Sequence, residues 1–151
     1  MTLKKVSHTN LFYRETKDGL KKIIAVLIVN VVLERAGKEI LGRYIFRPGF
    51  KCDGLSVPKI FRWFLKNWDE NNDIYNIAGL CHDLGYAAAG FGLFIREEVD
   101  DIFRGMLRES GKDRQRAGLA DMALCAFAGG HWGTDEYNCL PFASFEILDV
   151  K

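Results

Sequence analysis

Five apolar residues, Val99, Ile102, Phe103, Met106 and Leu107, fall at i, i+3, i+4, i+7 and i+8. That spacing commits one stretch of the chain to a helix with a buried stripe. The helix is expected from about Arg96 to Ser110, stopping at Gly111. Asp100 lies about 100° from Val99 around such a helix, at the edge of the stripe, while Asp101 turns farther toward solvent. An acid at the edge of a buried stripe can reach inward.

A helix so marked needs a partner, and the preceding segment offers one. It is expected from about Ile74 to Ala89, with Asp73 as N-cap, and it carries Cys81-His82-Asp83-Leu84-Gly85-Tyr86. The face around His82 holds Ala78, Gly79, Gly85 and Tyr86. Each helical glycine costs about 1 kcal/mol relative to alanine. Two of them flanking a histidine imply a close approach, either by a ligand or by another helix, and spacing leaves both open. If the two helices form an antiparallel hairpin, His82 stands roughly 11 Å before the turn and Asp100 roughly 6 Å after it. The loop between them can absorb that difference, so Asp100 can face His82 and hold one tautomer of its imidazole. Asp83 points about 100° away from His82, where its carboxylate suits a hard cation.

The first half reads as β structure. Ile23 to Leu33 is an apolar run of eleven residues interrupted by Asn30. A membrane-spanning helix needs about 20 such residues, so this run is expected to be a buried strand. Glu34 to Lys38 supplies a turn and Glu39 to Phe46 the returning strand. Pro48-Gly49 then opens a loop, Phe50 to Pro58, in which Asp53 offers a second carboxylate and Gly54 an approachable carbonyl. Lys59 to Trp68 is expected to be a short amphipathic helix, with Phe61, Trp63, Phe64 and Trp68 most simply in the core. A further helix is expected from about Asp113 to Ala128, ending at Gly129-Gly130. His8 is expected to be exposed, and His131 to be a loop or cap residue.

The expected fold is α+β: an N-terminal β-hairpin or small antiparallel sheet, then a mainly helical half whose antiparallel helix pair carries the site. A single domain is expected over 1–151, with 1–58 mainly β and loop, 59–130 helical and 131–151 an irregular tail. Hydrophobic residues make up 48% of the 151-residue chain, enough for a core without staples. Lys and Arg total 21 against 20 Asp and Glu, a balance that argues against nucleic acid as partner. The four cysteines, Cys52, Cys81, Cys125 and Cys139, contain no Cys-x-x-Cys pair, which argues against a zinc ribbon. Met1 to Asn10 is polar and lacks the apolar stretch of a signal peptide, so reduced thiols are expected, in a host cytoplasm or a virion.

Three blocks occur in order: Gly49-Phe50-Lys51-Cys52-Asp53-Gly54-Leu55-Ser56-Val57-Pro58, His82-Asp83-Leu84-Gly85-Tyr86, and Arg96 to Phe103 with its Arg-x-x-x-Asp-x-x-Phe pattern. Together they resemble a family of uncharacterised phage and prophage proteins. More distantly they resemble the bacterial and fungal secreted phospholipases A2. That second resemblance implies His82 as general base, Asp100 as its orienting carboxylate, and Tyr86 as support for that pair. It also implies a calcium ion held by Asp53, Asp83 and the carbonyl of Gly54. The cysteine positions of the secreted enzymes are Leu55 and Gly79 here, so their disulfide does not carry over. The expected function is a phospholipase-A2-like ester hydrolase of phage or prophage origin, acting on a lipid or membrane surface. The alternative is a non-catalytic virion or host-interaction protein with a phage or host protein as partner. A metal phosphohydrolase of the His-Asp type would need further histidines upstream of His82, and only His8 precedes it.

Overall fold

In the computed structural model the described residues are 1–54, 68–111, 118 and 131–151. The expected Lys59–Trp68 helix before Trp68, the Leu55–Pro58 end of the loop, the Asp113–Ala128 helix with Cys125 (apart from Gly118), and Gly129-Gly130 lie outside them.

Seven strands are described: β1 (Thr2–His8), β2 (Tyr13–Glu15), β3 (Lys21–Ile23), β4 (Leu27–Arg35), β5 (Lys38–Phe46), β6 (Lys51–Cys52) and β7 (Ala143–Val150). They form two antiparallel sheets, one of order β1-β4-β5-β7 and one of order β2-β3-β6. Two α-helices are described, α1 (Asp73–Ala87) and α2 (Arg96–Glu109), and they pack as an antiparallel pair.

β4 and β5 form the centre of the larger sheet for a plain reason. Leu27, Val29, Val31 and Leu33 alternate inward, as do Ile40, Tyr44 and Phe46 on the returning strand. Side chains of period two on one face need a core on that face. The two-residue turn Ala36-Gly37 takes positive φ at both positions, 49° and 77°, the backbone that matches strand twist in a tight hairpin.

The described residues correct the expected fold class. They form a β-rich protein with a small helical part, not a mainly helical half behind a hairpin. Two misreadings account for this. The run Ile23–Leu33 is not one strand: Ile23 closes β3 in the small sheet and Leu27 opens β4 in the large one. Ile23 and Leu27 are buried, and the residues between them stay apolar although Ile24 and Val26 are exposed where the chain changes sheets. The segment expected to be an irregular tail holds β7, an eight-residue strand. It is an edge strand whose residues from Glu146 to Val150 are exposed, so no core imposes an apolar period on it.

The helices follow the sequence more closely. α1 is capped one residue earlier than expected, by Asn72, whose side chain accepts from the Tyr75 amide at 3.1 Å. α2 buries Val99, Ile102, Phe103, Met106 and Leu107, the stripe on which the helix was expected. Two glycines set the distance at which α2 can sit. A Cβ on Gly85 of α1 would meet Val99 Cγ1 at 2.7 Å, and one on Gly105 of α2 would meet Leu3 Cβ of β1 at 2.5 Å. For Gly85, then, the close approach is made by a neighbouring helix. Arg35 at the end of β4 reaches Glu98 in the first turn of α2, with Nε donating at 2.8 Å.

Among the described residues no helix is long and apolar enough to cross a membrane.

Gly85→Ala should therefore destabilise the protein by about 1–3 kcal/mol through overpacking, read as a lower midpoint in urea. Adding Val99→Ala should recover most of that loss. An unchanged midpoint in the single variant would contradict the tight α1–α2 contact.

Candidate functional site

His82 lies in the middle of α1 and Asp100 in the first half of α2, each 5% exposed. Nε2 of His82 is 2.9 Å from Oδ1 of Asp100, and the Tyr86 hydroxyl donates to the same oxygen at 2.8 Å. The other carboxylate oxygen faces Arg96, one turn earlier on α2, with Nε at 4.0 Å. His82 and Tyr86 share a face of α1 four residues apart, and their rings lie 4.2 Å centre to centre. Phe103 closes over the imidazole at 4.9 Å, and Trp132 stands edge-on to Tyr86 at 5.2 Å.

Burial pushes the Asp100 carboxyl up, but the hydrogen bonds from His82 and Tyr86 and the charges of His82 and Arg96 outweigh it. Its pKa is held below the usual carboxylate value. An ionised Asp100 only accepts, so Nε2 of His82 carries a proton toward it. Among the described residues nothing hydrogen-bonds Nδ1. Burial and the bond to Asp100 push the Tyr86 phenol well above its ordinary value, so it stays a donor.

A second group of residues lies where β6 runs into the loop. Asp53 and Gly54 follow β6, and Gly54 takes φ +80°, which a side chain would resist. The Asp83 carboxyl is raised well above the usual value, first by burial and then by the charges of Asp53 and Glu136. The Tyr137 phenol is pushed up to about 12, by burial and then by Asp53, Glu136 and Asp83. Asp53, just after β6, and Glu136, in the segment before β7, thus both act on Asp83 of α1. Among the described residues no three His, Cys, Asp or Glu side chains are gathered closely enough to hold a metal by themselves. Ligation there would have to draw on main-chain oxygens as well as on Asp53 and Asp83.

The sequence-predicted residues therefore fall into two groups. His82, Asp100 and Tyr86 form one hydrogen-bonded unit. Asp83 and Asp53 share an acidic neighbourhood beside it, with Gly54 adjoining. Glu136, Tyr137 and Trp132 were not legible, because they come from a segment without a period and meet the site only through folding. Arg96 was legible in part, since its i, i+4 spacing to Asp100 is local. His131 is exposed in a short turn, and His8 is partly buried, with Nδ1 2.7 Å from the Thr9 carbonyl. The described cysteines, Cys52, Cys81 and Cys139, are buried free thiols. Burial raises all three above the ordinary thiol value.

The family described as protein of unknown function (DUF1353) matches residues 32–124, more than half of the chain, and the chain belongs to it. No curated protein and no solved structure matches the chain.

The two acids should respond to pH in opposite senses. Asp100, depressed on folding, contributes stability above the ordinary carboxylate range and loses it as pH falls through its folded value. Asp83, raised on folding, contributes stability below that range and loses it as pH rises toward its folded value. In chelator at neutral pH, Asp83→Asn should raise the melting temperature and Asp100→Asn should lower it. Melting curves across acid and neutral pH separate the two, and a drop in both variants at neutral pH would contradict the assignment for Asp83.

Proposed function

We propose that this member of a family of unknown function is an ester hydrolase that works by general-base catalysis at His82, with a calcium ion held beside it. The observation that carries the reading is the His82–Asp100–Tyr86 chain. One ring nitrogen is engaged by an ionised carboxylate, and among the described residues no hydrogen bond reaches the other. In this reading Nδ1 takes a proton from a water whose oxygen attacks an ester carbonyl. Asp100 stabilises the imidazolium that forms and fixes its orientation, and Tyr86 anchors Asp100. The imidazolium then returns the proton to the leaving alcohol.

Asp53, Asp83 and the Gly54 carbonyl would hold the calcium. The donor set is oxygen only, as that ion prefers, and the mutual repulsion of the acids is the kind a cation relieves. When bound, the ion supplies a positive charge that stabilises a developing oxyanion. The resemblance of the Asp53 loop and the His82-Asp83 helix to secreted phospholipases A2 points to lipid esters as substrates. The resemblance to phage and prophage proteins points to a phage origin.

A second reading has an observation of its own. His82 is buried under Tyr86 and Phe103, as a histidine that holds two helices together would be. In that case the chain is a non-catalytic phage component that docks on a phage or host protein.

Hydrolysis of phospholipid vesicles at millimolar calcium decides between them. His82→Ala should abolish turnover, and Asp100→Asn should cut it roughly 100- to 10,000-fold. Asp53→Asn and Asp83→Asn should raise the calcium needed for half activity, while Asp101→Asn and His131→Ala change little. Absence of hydrolysis by the wild type, together with a sharp fall in melting temperature for His82→Ala, would make His82 structural and favour the second reading.

A further inference from the structure

The smaller sheet has a face that carries exposed Phe12, Arg14 and Ile24 and half-buried Lys22 and Lys51, and that plays no part in the reading above. Its register places Arg14 opposite Lys22, and Lys22 opposite Lys51. Directly opposed residues on neighbouring antiparallel strands share a face, so one cation from each of the three strands stands in a row. Strands lie about 4.8 Å apart, so the row spans roughly 10 Å. Like charges placed directly opposite one another destabilise a sheet. No acid within the three strands relieves this row. Glu15 lies on the other face, paired with Lys21 at 3.2 Å, and the other salt bridges among the described residues use none of Arg14, Lys22 and Lys51.

The same face continues into apolar side chains. The Ile24 amide donates to the Phe12 carbonyl at 3.2 Å, which extends the β2–β3 ladder by one pair beyond Tyr13 and Ile23. Phe12 and Ile24 therefore stand opposite each other, on the side of the cations. They are 53% and 45% exposed. The inner face is closed: Ile23 and Cys52 are fully buried, and Trp68 packs edge-on to Tyr13 at 4.7 Å.

We propose that the outer face of the β2-β3-β6 sheet docks on an anionic lipid surface. Arg14, Lys22 and Lys51 would meet headgroup phosphates while Phe12 and Ile24 enter the interfacial layer. Charge complementarity selects the partner's sign: three cations in a row, with no acid from their own strands on that face, need anions opposite. The apolar pair selects its kind, because a dissolved polyanion offers those side chains nowhere to leave water, whereas a headgroup layer does. The inference rests on register and exposure and does not depend on the hydrolase reading.

The test is co-sedimentation of wild-type protein, in chelator, with vesicles of ether-linked lipids, which no esterase cleaves. Binding is expected to vesicles of equal parts phosphatidylcholine and phosphatidylglycerol, weakening with salt, and not to phosphatidylcholine alone. Joint replacement Arg14→Gln, Lys22→Gln and Lys51→Gln should weaken it on the order of 100-fold, from about 1 kcal/mol per cation. That variant removes like-charge repulsion from the sheet, so its melting temperature should hold or rise. Phe12→Ser with Ile24→Ser should weaken binding at unchanged net charge. Equal binding to neutral vesicles, no binding to either, or full binding by the triple variant would overturn the proposal. So would tight binding to polyglutamate or to an oligonucleotide that Phe12→Ser with Ile24→Ser leaves unchanged, since the face would then be reading a soluble polyanion.

Discussion

A carboxylate buried between two helices must be satisfied there or it will not ionise, and Asp100 has two hydrogen bonds and a neighbouring charge to satisfy it. One oxygen accepts from both His82 and Tyr86, and the other faces Arg96. A buried charge with its partners in place tolerates little displacement, because losing one partner leaves an uncompensated ion. The α1–α2 contact inherits that intolerance. Gly85 lets Val99 come close enough for the carboxylate to reach the imidazole, and Gly105 lets α2 settle on Leu3 of β1. The same carboxylate decides which nitrogen of His82 bears the proton. Packing, protonation and the availability of Nδ1 are therefore one constraint seen at three levels.

The acids beside this unit obey the opposite logic. Asp100 is stabilised as an anion by donors aimed at it. Asp83 is destabilised as an anion by burial and by Asp53 and Glu136. Two carboxyls less than one helical turn of sequence from His82, or directly bonded to it, are thus driven apart in pKa by their surroundings. Such divergence is common where residues have separate tasks, and it also arises in structural ion networks. The outer face of the small sheet carries a third kind of electrostatic tension, cations aligned by register with no acid between them. The first is resolved by partners within the fold; under the proposals above a cation would resolve the second and an external anionic surface the third.

Parts of this were legible in the chain. The α2 stripe, the placement of Asp100 at its edge and the i, i+4 relation of His82 and Tyr86 all follow from helical spacing. So does the approximate matching of height that brings His82 and Asp100 together. The β4–β5 hairpin was legible because an apolar run too short to span a membrane, a turn at Glu34 to Lys38 and a returning segment follow one another in the chain. β7 was not, because an edge strand with an exposed outer half needs no alternation and declares itself only through its bonds to β5. The break between β3 and β4 was hidden for another reason: Ile24 and Val26 at the break are apolar although exposed, so hydrophobicity runs on while the chain passes from one sheet to the other.

The chain alone determined what depends on neighbours within about two turns: the helix faces, the hairpin, the placement of Asp100 at the edge of its stripe, and the glycine that admits a close partner at Gly85. Tertiary structure decided what depends on contacts far apart in sequence. It put Glu136 and Tyr137 beside Asp53 and Asp83, Trp132 beside Tyr86, and the cations of three separate strands in one row. The physical reason is the range of the code. Backbone periodicity fixes the direction of a side chain relative to its own element, whereas the electrostatic and packing environment of that side chain is set by whichever other element the fold brings against it.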